Sequence, residues 1–393
     1  MDRIAVGSFL YNCFYMAAMG FVVSILPLYA VDLGADIATI GPVWTIAFLS
    51  SFVMALFWGS VSDRSGRRML HVIIGTAVLS VICILYTFAR DIYHIGVIMV
   101  LGEMLGSSQA FPIFMAFISE LSKLKKRGIS MGIFWMGGSV GWALSVSAAG
   151  FIAEEIGIKK GFYLSSILFI MSIIAAEKFL GGELGENQTI RRQIGFMEAI
   201  KEFRKFGSAF TIFLLASVCF FIGDSVKISY VLMFFEKELK LNRTLATLIL
   251  SLGTWAEIPL LPLLGALSDR VGRKPLLLSG LFTFFIFNLL MSVSQNYIHA
   301  MLTMLLFGVI WGAFTSAGSA FIGDIIEEQN RGKAMSLYNS AASIANIIAP
   351  TIMSLAIIKT SFRTAFTMIA IIVLVGFLLV LFGVAPSRLE HSS

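Results

Sequence analysis

Asp224 and Lys227 stand three residues apart in the apolar stretch FFIGDSVKISYVLMFF. At helical spacing they are neighbours on one face, an acid and a base able to hold a charged solute or to take up and release a proton. Two further carboxyls are set in equally apolar surroundings, Glu257 in TWAEIPLLPLLG and Glu103 in VLGEMLG. An ionisable group inside a membrane span costs about 2.5 kcal/mol or more, so it usually faces an aqueous path and has a task there. A structural role remains open for each, as a mutually neutralised pair or a hydrogen-bonded acid. The chain has no GxxxxGK[ST] phosphate loop and no HExxH, and its four histidines are scattered. ATP as a direct energy source, metal-assisted hydrolysis and bound cofactors are therefore not expected. Cys13, Cys83 and Cys219 show neither metal-ligand nor redox spacing and read as packing residues.

These ionisable residues need a scaffold, and composition says what kind. Of the 393 residues 58% are hydrophobic and 13% charged, with mean hydropathy +0.90, far from the quarter or so of charged residues usual in soluble domains. A membrane helix takes about 20 apolar residues. Cutting at charged and Gly/Pro/Asn-rich breaks leaves twelve such runs, near 5–30, 39–60, 69–89, 95–119, 131–153, 162–180, 208–235, 244–267, 275–294, 299–323, 333–357 and 364–384. The runs are continuous rather than alternating, which argues against a membrane β-barrel. The first is too long for a signal-peptide core and reads as a span.

With both termini on the cytoplasmic side, nineteen Lys and Arg fall inside and eight outside. That asymmetry predicts the orientation in a plasma or inner membrane. It also accounts for the net charge of +6 without nucleic acid as a partner.

The chain is written twice. GSVSDRSGRR, from Gly59 to Arg68, returns 206 residues later as GALSDRVGRK, from Gly265 to Lys274. The fourth and tenth runs each close with an acid followed seven residues later by arginine, Glu120 with Arg127 and Asp324 with Arg331. An all-α membrane protein of two pseudo-symmetric six-helix halves follows, 1–180 and 208–393, joined by the polar segment 181–207. Within that segment, IRRQIGFMEAIKEFRKF suits a helix lying in the cytoplasmic interface. Two such halves around a midplane site are a secondary-transporter architecture. The positions 206 before Asp224 and Lys227 are Ala18 and Phe21, so this charge is written into one half only.

The doubled signature, the twelve runs and the repeated Arg-Gly after the fourth and tenth resemble the major facilitator superfamily along essentially the whole chain. The resemblance implies a cytoplasmic gate formed by Gly59, Asp63, Arg64, Gly66, Arg67, Glu120 and Arg127, and in the copy by Gly265, Asp269, Arg270, Gly272, Arg273, Asp324 and Arg331. Gly59 would permit close approach of another helix, Asp63 would face the N-terminus of the eleventh helix, Arg67 would pair with Glu120, and Arg273 with Asp324. The family's arginine of the fourth span is replaced here by Gly102, beside Glu103, so its proton role does not carry over. The fifth-span run GGSVGWALS keeps the glycines of proton-coupled exporters but not their proline.

Tyr11, Asn12, Tyr15, Trp142, Tyr230, Asn339 and Asn346 are candidates for the cavity wall. The reading is proton-coupled export of small amphiphilic or drug-like solutes by alternating access, not enzymatic, with sodium as the other possible coupling ion. Glu257 and Asp224 would couple, with Lys227 as charge partner and Glu103 as a further candidate. No metal is implied, and the resemblance implies a monomer in the lipid bilayer. Sugar efflux, suggested by the AEIP stretch, and passive facilitation are the alternatives, with a transporter-like solute sensor a more remote one.

Overall fold

The computed structural model describes residues 3–121, 127–180, 203–327 and 330–384; the side chains of 119–131, 204, 205, 228 and 229 fall outside that description. Twelve helical spans are present among the described residues. They are Arg3–Asp32, Ile37–Ser65, Arg68–Tyr86, a fourth running from Ile92 to Leu121 through a π turn at Glu103–Ser107, Arg127–Phe151, Ile158–Leu180, Gly207–Lys237, Arg243–Val271, Arg273–Val293, Tyr297–Ile325, Arg331–Lys359 and Phe362–Gly383. The fifth and sixth run on as one 49-residue apolar helical stretch, Gly132–Leu180. A second π turn, Ile152–Gly157, joins them, and its Gly157 has φ +108°. The interfacial helix expected in 181–207 lies outside the described residues, apart from the short 3-10 turn Phe203–Phe206.

Most helices overrun the apolar runs by a few residues, because polar ends can leave hydrocarbon while keeping helical hydrogen bonds. Side-chain caps mark five of the starts, among them that of the eighth span, where Asn242 accepts the Leu245 N–H at 2.9 Å. Asp91 accepts the His94 N–H at 2.9 Å and Asn296 accepts that of His299 at 3.0 Å, the same cap at corresponding places in the two halves. Asp36 and Ser361 cap the second and twelfth spans.

The doubled signature is helical rather than looped through most of its length. The second span continues to Ser65 and stops at Gly66, φ +67°, whose N–H reaches the Ser62 carbonyl at 3.1 Å. The eighth continues to Val271 and stops at Gly272, φ +91°, with its N–H on Ser268 at 3.2 Å. A left-handed stop is where glycine avoids the Cβ penalty, which explains the middle glycine of both copies.

Packing divides the chain into two compact units, one of residues 1–193 with 242–251 and the other of 194–241 with 252–393. In the first, the first span packs on the fifth and sixth, and the third on the fourth and sixth. In the second, the seventh packs on the eleventh and twelfth, and the ninth on the tenth and twelfth. Each pairing is the other advanced by six spans, so the duplication is one of packing as well as sequence. Aromatic side chains fill both interiors, among them Tyr11, Phe114, Phe162 and Phe169 in the first unit and Phe213, Phe220, Phe284 and Phe314 in the second.

Candidate functional site

The seventh span, apolar almost throughout, carries Asp224 and Lys227 on one face because i and i+3 lie side by side on a helix. The Lys227 Nζ stands 3.2 Å from Asp224 Oδ1, with side chains only 14% and 13% exposed. The same ammonium lies 3.2 Å from the centroid of the Phe307 ring, on the tenth span. Charge over a ring face is favourable, the more so away from water. Beyond the ammonium contact, Asp224 Oδ1 accepts no hydrogen bond among the described residues.

Glu257, buried on the eighth span, is within electrostatic reach of Lys227. The next residue after Phe307 explains the proximity. A Cβ at Gly308 would sit 2.8 Å from the Glu257 nitrogen, so only glycine lets the tenth span approach the eighth there. Three of the four sequence candidates are thereby gathered in one unit, with Lys227 over a ring that no spacing rule selected. Phe307 belongs to a wider aromatic group: it stacks with Trp311 at 6.4 Å and meets Phe284 at 6.0 Å. Phe220 stacks on Phe314 with ring centroids 3.9 Å apart.

Glu103 is in the other unit, at the start of the π turn in the fourth span, where the Ser51 and Ser107 hydroxyls hydrogen-bond its carboxylate. The fourth span's π turn also exposes the Met104 carbonyl, which accepts from Trp58 Nε1 at 2.8 Å and from Ser108 Oγ at 2.9 Å.

Four of the cavity candidates, Tyr11, Asn12, Tyr15 and Tyr230, are buried within their units. Tyr11 is fully buried, bonded to Thr76 Oγ1 at 2.9 Å, and Tyr15 lies between Phe111 and Phe169. Asn12 donates to the Phe134 carbonyl at 2.8 Å, and Tyr230 to that of Pro350 at 2.7 Å. For Tyr11, Asn12 and Tyr230 a neighbouring helix supplies a backbone or hydroxyl partner, which fixes the polar tip in the packing. Trp142 and Asn346 are half-buried and Asn339 is exposed. The two asparagines, seven residues apart, share a face of the eleventh span.

The charged signatures differ between the copies. In the second, Arg273 donates to Asp324 at 2.9 Å, to Ser268 at 3.0 Å and to Asp269. In the first, the partner of Asp63 is Arg68, at 2.9 Å, while Arg67 is exposed. The side chains of Glu120 and Arg127, expected to complete this gate, lie outside the described residues. Arg64 and Arg270 are exposed, and Arg331 donates to the Ile326 carbonyl at 3.2 Å. A Cβ at Gly59 or at Gly265 would meet nothing within 4 Å among the described residues.

One polar cluster gave no sequence signal. Arg243, at the start of the eighth span, grips Asp32 with both guanidinium nitrogens, at 2.6 and 2.8 Å. The Glu154 carboxylate takes the Arg243 N–H at 2.6 Å, the Thr244 N–H at 3.2 Å and the Thr244 hydroxyl at 2.5 Å. It caps two of the orphan donors at a helix start. The segment 242–251 belongs to the first unit for these reasons, helped by Ser251 and Thr247, which bond Ser147 and the Gly150 N–H.

Two units of six spans with one packing scheme, and ionisable side chains buried among their helices, define a secondary transporter rather than an enzyme. The chain belongs to the Major Facilitator Superfamily, whose family model matches residues 8–235 and 213–393. Among curated proteins it is similar to the multidrug resistance protein MdtG of Salmonella newport, 26% identical over 379 residues, covering 92% of this chain and 91% of that one. Similarity to MdtG of Escherichia coli strain SMS-3-5 is 25% over 383 residues, 92% and 90% of the two chains. The fold matches that of the solved nucleoside transporter NupG, with TM-score 0.75 at 15% identity over 96% of this chain and 97% of that chain. A mutant form of NupG gives TM-score 0.79 at 13% identity, over 96% and 98%.

Proposed function

We propose that this transporter exports small amphiphilic, drug-like compounds in exchange for protons. The observation that carries the reading is the buried group of Asp224, Lys227 and Glu257 beside the Phe307 ring. Carboxyls in apolar surroundings can change charge as water gains or loses access, and that is what coupling to a proton requires. Aromatic rings beside them suit a lipophilic solute. The names of the MdtG relatives support the drug-like class.

In this reading Glu257 and Asp224 bind the proton or the solute in turn, and Lys227 balances them. Glu103, already satisfied by two serine hydroxyls, anchors the π turn of the fourth span. Ion pairs such as Arg273–Asp324 and Asp63–Arg68 stiffen the ends of the spans near the two signatures. The protein acts as a monomer in the plasma or inner membrane, with both termini cytoplasmic as the Lys and Arg distribution favours.

The test is proton movement. Purified protein in liposomes holding a pH-sensitive dye is given lipophilic cations, neutral drugs and sugars, with Glu257→Gln for comparison. Compound-dependent proton flux that the variant loses supports coupling through this residue. A labelled compound that equilibrates without moving protons overturns it in favour of passive facilitation.

A further inference from the structure

We propose that Lys227 is a tethered competitor for a cation seat, its ammonium occupying the place that a substrate's positive charge takes during transport. This deepens the proposed function and rests on the Asp224–Glu257 group being where the solute binds.

The seat has the features of one built for a cation. Its floor is the Phe307 face, its wall is the Asp224 carboxylate, and the ammonium touches both at 3.2 Å. Asp224 holds the ammonium and Glu257 lies within electrostatic reach of it. Asp224 Oδ1 is buried and, apart from the lysine, accepts no hydrogen bond among the described residues. An oxygen held by backbone or hydroxyl donors would be satisfied without Lys227; Oδ1 of Asp224 has the positive charge beside it instead. Leaving it alone in an apolar span is expensive, so a departing ammonium has to be replaced by a proton or by another cation.

The lysine can depart because it is attached by a flexible four-carbon stem. Exchange of one cation for another keeps the local charge constant, which lets the solute bind without ionising a bare site. Phe284, Phe287 and Trp311 surround the Phe307 ring with centroids 5.9 to 6.4 Å away. They make the surroundings of the ring aromatic and apolar, where a small inorganic ion would gain nothing. The class selected is a monovalent lipophilic cation bearing aromatic groups.

The experiment measures equilibrium binding of radiolabelled tetraphenylphosphonium to the full-length purified protein, without any gradient. Lys227→Met should bind about tenfold or more tightly than wild type, since the resident competitor for the ring and the carboxylate is gone. Lys227→Arg, which keeps a cation, should stay within about threefold of wild type. Adding Phe307→Leu to Lys227→Met should remove the gain. A Lys227→Met protein that binds no more tightly than wild type overturns the proposal, as does a gain that survives loss of the ring. Should Lys227→Met fail to elute as a folded species, Lys227→Gln is judged by the same criteria. Phe307→Leu with the lysine intact must then weaken binding at least about threefold, and unchanged binding overturns the proposal. Proton coupling fails separately, in the liposome experiment, and its failure leaves the binding result intact.

Discussion

Arg243 holds Asp32 through two parallel hydrogen bonds, at 2.6 and 2.8 Å, tying the first residue of the eighth span to the last of the first. Fork-to-carboxylate geometry is specific to a planar guanidinium. Arg243→Lys should therefore behave almost as poorly as Arg243→Ala. Because Asp32 is 38% exposed, screening limits the ion pair to about 0.5–1 kcal/mol. The measurement is the thermal midpoint of the detergent-solubilised protein, at low and high salt. A lysine variant with wild-type stability would show the fork to be unimportant.

Glu154 makes the same helix start sensitive to acid. Partial burial pushes its carboxyl up, but hydrogen bonds from the Thr244 hydroxyl and the Arg243 and Thr244 N–H groups, with the Arg243 charge, outweigh that and hold it below the usual carboxylate range. A group depressed on folding stabilises the protein above its unfolded pKa, and the contribution fades as pH falls through the folded value. Glu154→Gln should thus be less stable than wild type at neutral pH, with the gap closing in acid. Midpoints of both proteins across pH 3 to 8 check the sign; a gap that widens in acid would contradict it.

The two signatures should respond differently to the same substitution. Arg273 serves Asp324, Asp269 and Ser268 at once, whereas the corresponding Arg67 is exposed and Arg68 takes Asp63. Arg273→Ala leaves two carboxylates without their cation, so it should reduce stability and transport clearly more than Arg67→Ala. In the first copy the damaging change should be Arg68→Ala. Paired transport rates and thermal midpoints for the three variants decide this, and equal effects of Arg67→Ala and Arg273→Ala would refute the asymmetry.

What the sequence made legible was whatever repeats along the chain or runs for a full membrane thickness. Twelve apolar runs became twelve spans, and the glycines of SDRSGRR and SDRVGRK became left-handed stops at Gly66 and Gly272. Asp224 and Lys227 could be paired because helical geometry acts over three residues. Phe307 under the ammonium could not be foreseen, since it depends on how the tenth span is rotated against the seventh. The choice of Arg68 over Arg67 is of the same kind: adjacent residues point about 100° apart on a helix start, and only packing selects between them. Asp32, Arg243 and Glu154 lie at the ends of different spans, too far apart in sequence for any local rule to join them. The partners of Tyr11 and Tyr230 were not legible either, because a tyrosine that bonds a backbone or hydroxyl group inside a bundle looks, in sequence, like one facing a cavity.

Glu103 offers the sharpest separation of anchoring from coupling. Its carboxylate takes hydrogen bonds from Ser51 and Ser107, one on the second span and one closing the π turn. In an anchoring role what matters is an acceptor in that place, not a charge that changes. Glu103→Gln retains a carbonyl oxygen for a serine hydroxyl and should keep compound-dependent proton flux near the wild-type level. Glu103→Ala leaves both hydroxyls to find new partners and should lower stability by about 1–3 kcal/mol. Glu257→Gln should do the reverse, preserving the fold while abolishing proton flux, because Gln keeps the shape but cannot ionise. Running the three variants side by side in dye-loaded liposomes, with thermal midpoints for each, distinguishes the roles. Loss of flux in a stable Glu103→Gln protein would move coupling into the first unit and make Glu103 part of the proton path.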